Sequence, residues 1–170
     1  MVVHIRKHLL NCYLILYFRK EMSKTDTQSP SYCIELIQAE ETWPLRQEAM
    51  WPDKDISFVQ LPGDETALHF GLFVITESNS KLLVSCLSLF SSDADLQLRK
   101  FATLPSQQQQ GWGSKLLRHV LKEASLLAKE RPIVLDSRQE KEAFYASFGF
   151  QREGKPFEKN DRFYVRMQWH

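Results

Sequence analysis

The residues best suited to chemistry lie in one short stretch, Gln108-Gln109-Gln110-Gly111-Trp112-Gly113-Ser114, between a strand-like run and a long helical one. A diphosphate needs several free backbone N–H groups aimed at one place. The first turn of a helix supplies them, together with the positive end of its dipole. Glycine suits such a loop because a Cβ would hold phosphate oxygens off the backbone, and because the turn can require positive φ. The Ser114 hydroxyl would add a donor; an ordinary turn opening a helix is the alternative. The fingerprint GxGxxG is absent, as is the Lys-Ser/Thr of a P-loop, which disfavours nicotinamide cofactors and nucleoside triphosphates. Further along, Tyr145 stands among Phe144, Phe148 and Phe150, and by residue type alone it reads as a packing residue.

Hydropathy patterning gives the elements that must position these groups. Residues 34–37 alternate as a short strand, and 40–51 form an amphipathic helix closed by Pro52. Leu61-Pro62-Gly63-Asp64 is a turn. Two β-rich runs, 69–76 and 81–90, flank a polar turn and read as a hairpin. A third run, 96–103, carries a phase slip: Leu96 and Leu98 share a face, but Phe101 rather than Lys100 is the next apolar residue, as in a β-bulge. Leu116, Leu117, Val120, Leu121, Ala124, Leu127 and Ala128 recur at helical spacing until Pro132. A strand at 133–135, a helix at 140–147 closed by Gly149, and a strand at 163–167 complete the series. The order implies an α/β (α+β) fold, a mixed central sheet flanked by helices, in one domain over residues 32–170.

Composition excludes several classes. Of the formal net charge of +1, residues 1–21 contribute +3 and the rest −2, so the body has no broad basic field for nucleic acid. Cys12, Cys33 and Cys86 are scattered without a CxxC pair, giving neither a disulfide framework nor a metal site, and fitting a reducing, cytoplasmic setting. Residues 9–18, LLNCYLILYF, are about half the length needed to span a bilayer and lack a small-residue cleavage site. Residues 1–31 therefore read as an N-terminal extension. Met22 opens a polar leader, so translation is expected to begin there; a targeting or anchoring segment and a docked element are the alternatives.

Gln108, Gly111 and Gly113 match the loop pattern Gln/Arg-x-x-Gly-x-Gly/Ala, in which the sequence resembles the GNAT superfamily of N-acetyltransferases. Phe101-Ala102-Thr103-Leu104-Pro105 stands where that family has a bulged strand ending like M-A-V-x-P. The stretch from Phe144 through Tyr145 to Gly149 and Phe150 resembles its A-x-x-F-Y-x-x-x-G-F segment. The resemblance implies a GNAT-like sheet and acetyl-CoA as co-substrate. Backbone groups of Phe101, Ala102 and Thr103 would pair with the pantetheine arm. With Gln108 leading the loop, the N–H groups of Gln109, Gln110, Gly111, Trp112, Gly113 and Ser114 would face the pyrophosphate. A bulky residue at Gly113 is expected to fill the phosphate site. Arg138 stands where the family often has Asn, and would contact the CoA phosphates or pantetheine, or be solvated.

The implied reaction is direct attack of a neutral amine on the thioester, with a phenol near the sulfur protonating the departing thiolate; the resemblance gives that role to Tyr145. The amine must first lose a proton. His69, Glu77 and Asp95 are candidates for the base, none of them singled out. Trp112 is expected to pack beside the loop, and Trp51 to cover the core or line the acceptor groove. The expected acceptor is a primary amine of a small molecule, with no nucleic-acid or membrane partner; a homodimer is left open. A non-catalytic acyl-CoA-binding regulatory module of the same fold is the rival, and a membrane-associated protein using the N-terminal run is a third reading.

Overall fold

The chain alternates short β-branched and aromatic runs with helical stretches, of which Trp112–Ala128 carries a strong apolar stripe while Ala39–Met50 buries a face that includes Thr42 and Arg46. The computed structural model describes residues 30–170; the readings made for residues 1–29, including the apolar run and the start at Met22, lie outside the described residues. In chain order the elements are Tyr32–Ile37 (β1), Ala39–Met50 (α1), Leu68–Ile75 (β2), Lys81–Ser91 (β3), Leu96–Thr103 (β4), Trp112–Ala128 (α2), Ile133–Arg138 (β5), Glu142–Ala146 (α3), Phe150–Lys159 (β6) and Arg162–Trp169 (β7). The seven strands form one sheet in the order β1-β2-β3-β4-β5-β7-β6. Every neighbouring pair is antiparallel except β4 with β5.

The two long helices take opposite faces. The apolar stripe of α2, including Leu116, Leu117, Val120 and Ala124, is buried in a cluster with Phe70, Leu98 and Met167. On the other face Leu45 of α1 packs with Cys86 and Ala102, flanked by Ala49 and Met50. Burying a leucine of this kind contributes about 1.5–3 kcal/mol relative to exposure. Helix α1 stops at Met50 because Trp51 precedes a proline and adopts φ −148° rather than a helical angle.

The phase slip in β4 is a bulge. Ala102 pairs with Cys86 and Arg99 with Ser88, so β4 spends three residues where β3 spends two. Lys100 absorbs the extra residue at φ +53°. Leu96, Leu98 and Phe101 thereby meet the same cluster on the α2 side. The bulge also ends the parallel pairing: β4 and β5 share only Leu96↔Ile133, Gln97↔Val134 and Leu98↔Leu135. Beyond these pairs β5 continues beside β7, through Ser137↔Val165 and Arg138↔Tyr164, and leaves β4.

Two elements differ from the sequence reading. The helix expected at 140–147 is a 3₁₀ turn, Gln139–Lys141, followed by the short α3. Strand β6 was not expected at all. Its outer position leaves nine of its ten residues exposed, so it lacks the alternation that marks a half-buried strand. An edge strand also tolerates Pro156, and Gly154, at φ +72°, sits within its irregular stretch.

Candidate active site

The parting of β4 and β5 opens a cleft of about 420 Å³. Met50, Trp51 and Phe58 line it from the α1 side, and Leu117 and Tyr145 from the α2 side, so it runs through the sheet from one face to the other. Phe101 and Ala102 form its β4 wall. Their strand is hydrogen bonded to β3, while the edge facing β5 has no partner strand beyond Leu98.

At the end of β4 the chain turns through a 3₁₀ segment, Pro105–Gln107, into α2. Gln109 and Gly111 both take positive φ, +63° and +81°. The first α2 hydrogen bond runs from the Lys115 N–H to the Gly111 carbonyl at 3.0 Å. Among the described residues, the N–H groups of Gln109, Gln110, Gly111, Trp112, Gly113 and Ser114 have no hydrogen-bond partner. Side chains brace the loop elsewhere: Gln108 Nε2 donates to the Thr103 carbonyl at 3.1 Å, and Trp112 Nε1 to Gln110 Oε1 at 3.3 Å. The Trp112 ring is buried beside Tyr32, as packing beside the loop requires.

The two loop glycines do different work. A Cβ on Gly111 would meet no protein atom within 4 Å. A Cβ on Gly113 would sit 3.2 Å from Phe101 Cζ and 3.3 Å from Thr103 Oγ1. Gly113 therefore lets α2 lie close against β4, and a bulky side chain there would press on the strand rather than fill the loop concavity. The open position is Gly111.

Tyr145 lies at the α2-side wall, its ring edge-on to Phe144 at 5.2 Å and Phe101 at 6.4 Å. Burial pushes its phenol well above the ordinary value, against a smaller opposing pull from the nearby Arg138 guanidinium, so the proton stays on the oxygen. Arg138, the last residue of β5, also lines the cleft. The three residues considered as base fall elsewhere. Glu77 is exposed in the β2–β3 turn. Asp95 is paired with Arg166 at 3.1 Å. His69 is buried, with Nε2 2.8 Å from the Asp64 carbonyl and Nδ1 2.7 Å from Ser88 Oγ. A carbonyl only accepts, so Nε2 carries the proton and Nδ1 is the acceptor. Burial lowers the His69 pKa and Arg46 lowers it further. None of the three lines the cleft.

Sequence reasoning missed the support of the α1-side wall. Arg46 of α1 is fully buried and grips Asp64 with two hydrogen bonds, at 2.7 and 3.1 Å, while its other contacts reach Ser88 Oγ and the Val59 carbonyl. Burial alone would raise the Asp64 carboxyl, but Arg46 and the Leu61 N–H hold it below its ordinary value. The network ties the turn before β2 to α1 and so fixes Leu61, which lines the cleft. It also missed Lys100, placed in the cleft by the bulge, Lys159 at the end of β6 and Asn160 of the β6–β7 turn. Among the described residues no cluster of three His, Cys, Asp or Glu could hold a metal ion, and no helix is long and apolar enough to cross a membrane.

The comparisons agree with this geometry. A family model described as an acetyltransferase (GNAT) domain matches residues 57–170. No curated protein matches the chain by sequence. Among solved structures, an acyl-CoA N-acyltransferase from Pseudomonas aeruginosa is similar with a TM-score of 0.65 at 18% identity, over 84% of this chain and 100% of that one. An IAA acetyltransferase from Bacillus cereus gives 0.62 at 18% identity, over 82% and 99%. A GNAT family acetyltransferase from Elizabethkingia anophelis with acetyl-CoA bound gives 0.56 at 18%, over 81% and 94%. At these identities the likeness establishes the shared fold.

Proposed function

The chain belongs to the GNAT acetyltransferase domain family and is thus an acyltransferase with acetyl-CoA as co-substrate, and we propose that it acetylates the primary amine of a small molecule. The observation that carries this reading is the run of six partnerless amides, from Gln109 to Ser114, beside a strand whose outer edge is open. Those residues suit a diphosphate at a helix start, where amides and dipole act together. Gly111 leaves the concavity clear of side chain. The backbone of Phe101, Ala102 and Thr103 would hold an extended arm along the open edge, and Gln108 would brace it through the Thr103 carbonyl. Arg138 would favour a phosphate or the departing sulfur.

Acetyl-CoA, when bound, supplies the activated acetyl group as a thioester. In transfer the acetyl C–N bond would form as the C–S bond breaks, Tyr145 would deliver its phenolic proton to the sulfur, and the proton given up by the amine would pass through solvent to restore the phenol. A phenol held protonated by burial suits that donor role. The test is to incubate the protein with acetyl-CoA and a panel of primary amines, following free thiol and the mass of the amine. Amine-dependent thiol release with a matching acetylated product supports the reading. Acetyl-CoA binding without release on any amine would sink it.

A further inference from the structure

The charge of the cleft is one-sided. Its lining brings Arg99, Lys100, Arg138, Lys141 and Lys159 together with a single carboxylate, Asp136. That carboxylate is already held by Arg166 at 2.9 Å and by Gln97 at 3.3 Å. One of the cations has an aromatic partner, and two lie on the Tyr145 side of the cleft. Arg99 lies over the Phe90 ring at 4.9 Å. Arg138 acts on Tyr145, and Lys141 immediately precedes α3, which carries that tyrosine.

Lys100 and Lys159 remain. Lys100 projects from the bulge toward the α1 side, where Arg46, Arg99 and Lys159 all act on its ammonium. Among the described residues neither the Lys100 nor the Lys159 ammonium has an ion-pair or hydrogen-bond partner. Asp64, the acid that acts on Lys100, is committed to Arg46. Burial first, then the surrounding cations, lower the Lys100 pKa to about 8. A half-buried ammonium set among other cations, with its one acidic influence committed elsewhere, is destabilised until an anion joins it. Around it the wall is apolar and aromatic, with Met50, Trp51, Phe58 and Leu61.

We propose that the acceptor is an amine that also carries a carboxylate, an α-amino acid with an apolar or aromatic side chain, anchored through that carboxylate by Lys100 with Lys159 beside it. This rests on the acetyl-transfer reading and adds the acceptor's class to it. The same two cations repel a polyamine. Lys100 is a specificity residue here: it orients the acceptor and takes no part in proton transfer.

The test compares phenylalanine with phenethylamine, two amines that differ by the carboxylate, using full-length protein and acetyl-CoA. The expected kcat/KM is at least about tenfold higher for phenylalanine, mainly through KM. In Lys100→Met that preference shrinks to about twofold or less, whereas Lys100→Arg keeps most of it. Lys159→Gln, at the exposed end of β6, gives an independent reading and is expected to reduce the preference in part. Equal kcat/KM for the two amines, a preference for phenethylamine, or a preference that survives Lys100→Met overturns the proposal. Calorimetric titration of both amines into protein loaded with CoA separates the two readings. Carboxylate-dependent binding without thiol release sinks acetyl transfer and keeps the anchor; thiol release that favours phenethylamine sinks the anchor and keeps acetyl transfer. Phenylalanine that neither binds nor reacts counts against the anchor.

Discussion

A phenol works as an acid only if it still has its proton when the leaving group needs it, and Tyr145 meets that condition through burial among Phe101, Phe144 and Phe150. Replacing it with phenylalanine keeps the ring packing and removes only the hydroxyl. Tyr145→Phe is therefore expected to lower kcat on the order of a hundredfold while leaving acetyl-CoA affinity within about twofold, by steady-state kinetics and calorimetry. An unchanged kcat would return Tyr145 to a packing role. At the loop, Gly111→Ala forces a Cβ-bearing residue into φ +81° and places a methyl group in the open concavity. The strain costs about 1–2 kcal/mol of stability, and the acetyl-CoA dissociation constant is expected to rise about tenfold or more, since the methyl group would hold phosphate oxygens off the amides. Full affinity in that variant would count against the diphosphate site. The loop motif was legible in the residues, but the division of labour between its glycines was not. It depends on how closely Phe101 and Thr103 of β4 approach, a contact between elements that spacing along the chain does not encode.

Helix α1 and the turn before β2 hold their wall of the cleft only because Arg46 and Asp64 hold each other. Asp64→Asn leaves a buried guanidinium without its counter-charge, a loss of about 3–5 kcal/mol, and thermal denaturation should register it as a fall of roughly 10 °C. A shift within about 2 °C would mean the pair contributes little. The same network sets a pH dependence. His69 has a folded pKa below its unfolded value of about 6.5, so the unfolded chain takes up the proton first as pH falls. Its contribution is complete above that value and declines as pH drops toward the folded pKa. Asp64, held low in the fold, acts in the same direction at lower pH. Lys100, whose folded pKa is lowered to about 8, also loses its contribution as pH falls through that value, so the urea midpoint is expected to fall slightly from about pH 8 to 7 and more steeply below about pH 6.5; a midpoint that rises on acidification contradicts this account. Most elements were readable because their apolar residues keep the period of a helix or strand, and the displaced Phe101 even disclosed the bulge. Strand β6 was unreadable by that route because its exposed edge imposes no alternation. A turn signal was present: Asn160 and Asp161, both at positive φ, form the two-residue connection to β7.

For the molecule as a whole, a bulged strand, a glycine-bearing helix start and an aromatic helix meet at one gap in the sheet, and the cleft through it gives access from both faces. A ligand that binds only the folded chain stabilises it by mass action. Acetyl-CoA at about a hundred times its dissociation constant is expected to raise the Tm by roughly 5–10 °C. The architecture was legible in the sequence. The cleft's charge was not, because Lys100 and Lys159 lie 59 positions apart and meet only when β6 and β7 fold back toward β4. The central claim is that the amides after Gln108 receive the cofactor's diphosphate. The most direct measurement is an amide-resolved NMR titration of the protein with acetyl-CoA. Saturable shifts concentrated at Gln109 to Ser114, with a second set along Phe101 to Thr103, are predicted; saturable binding that leaves those amides unmoved would contradict the account.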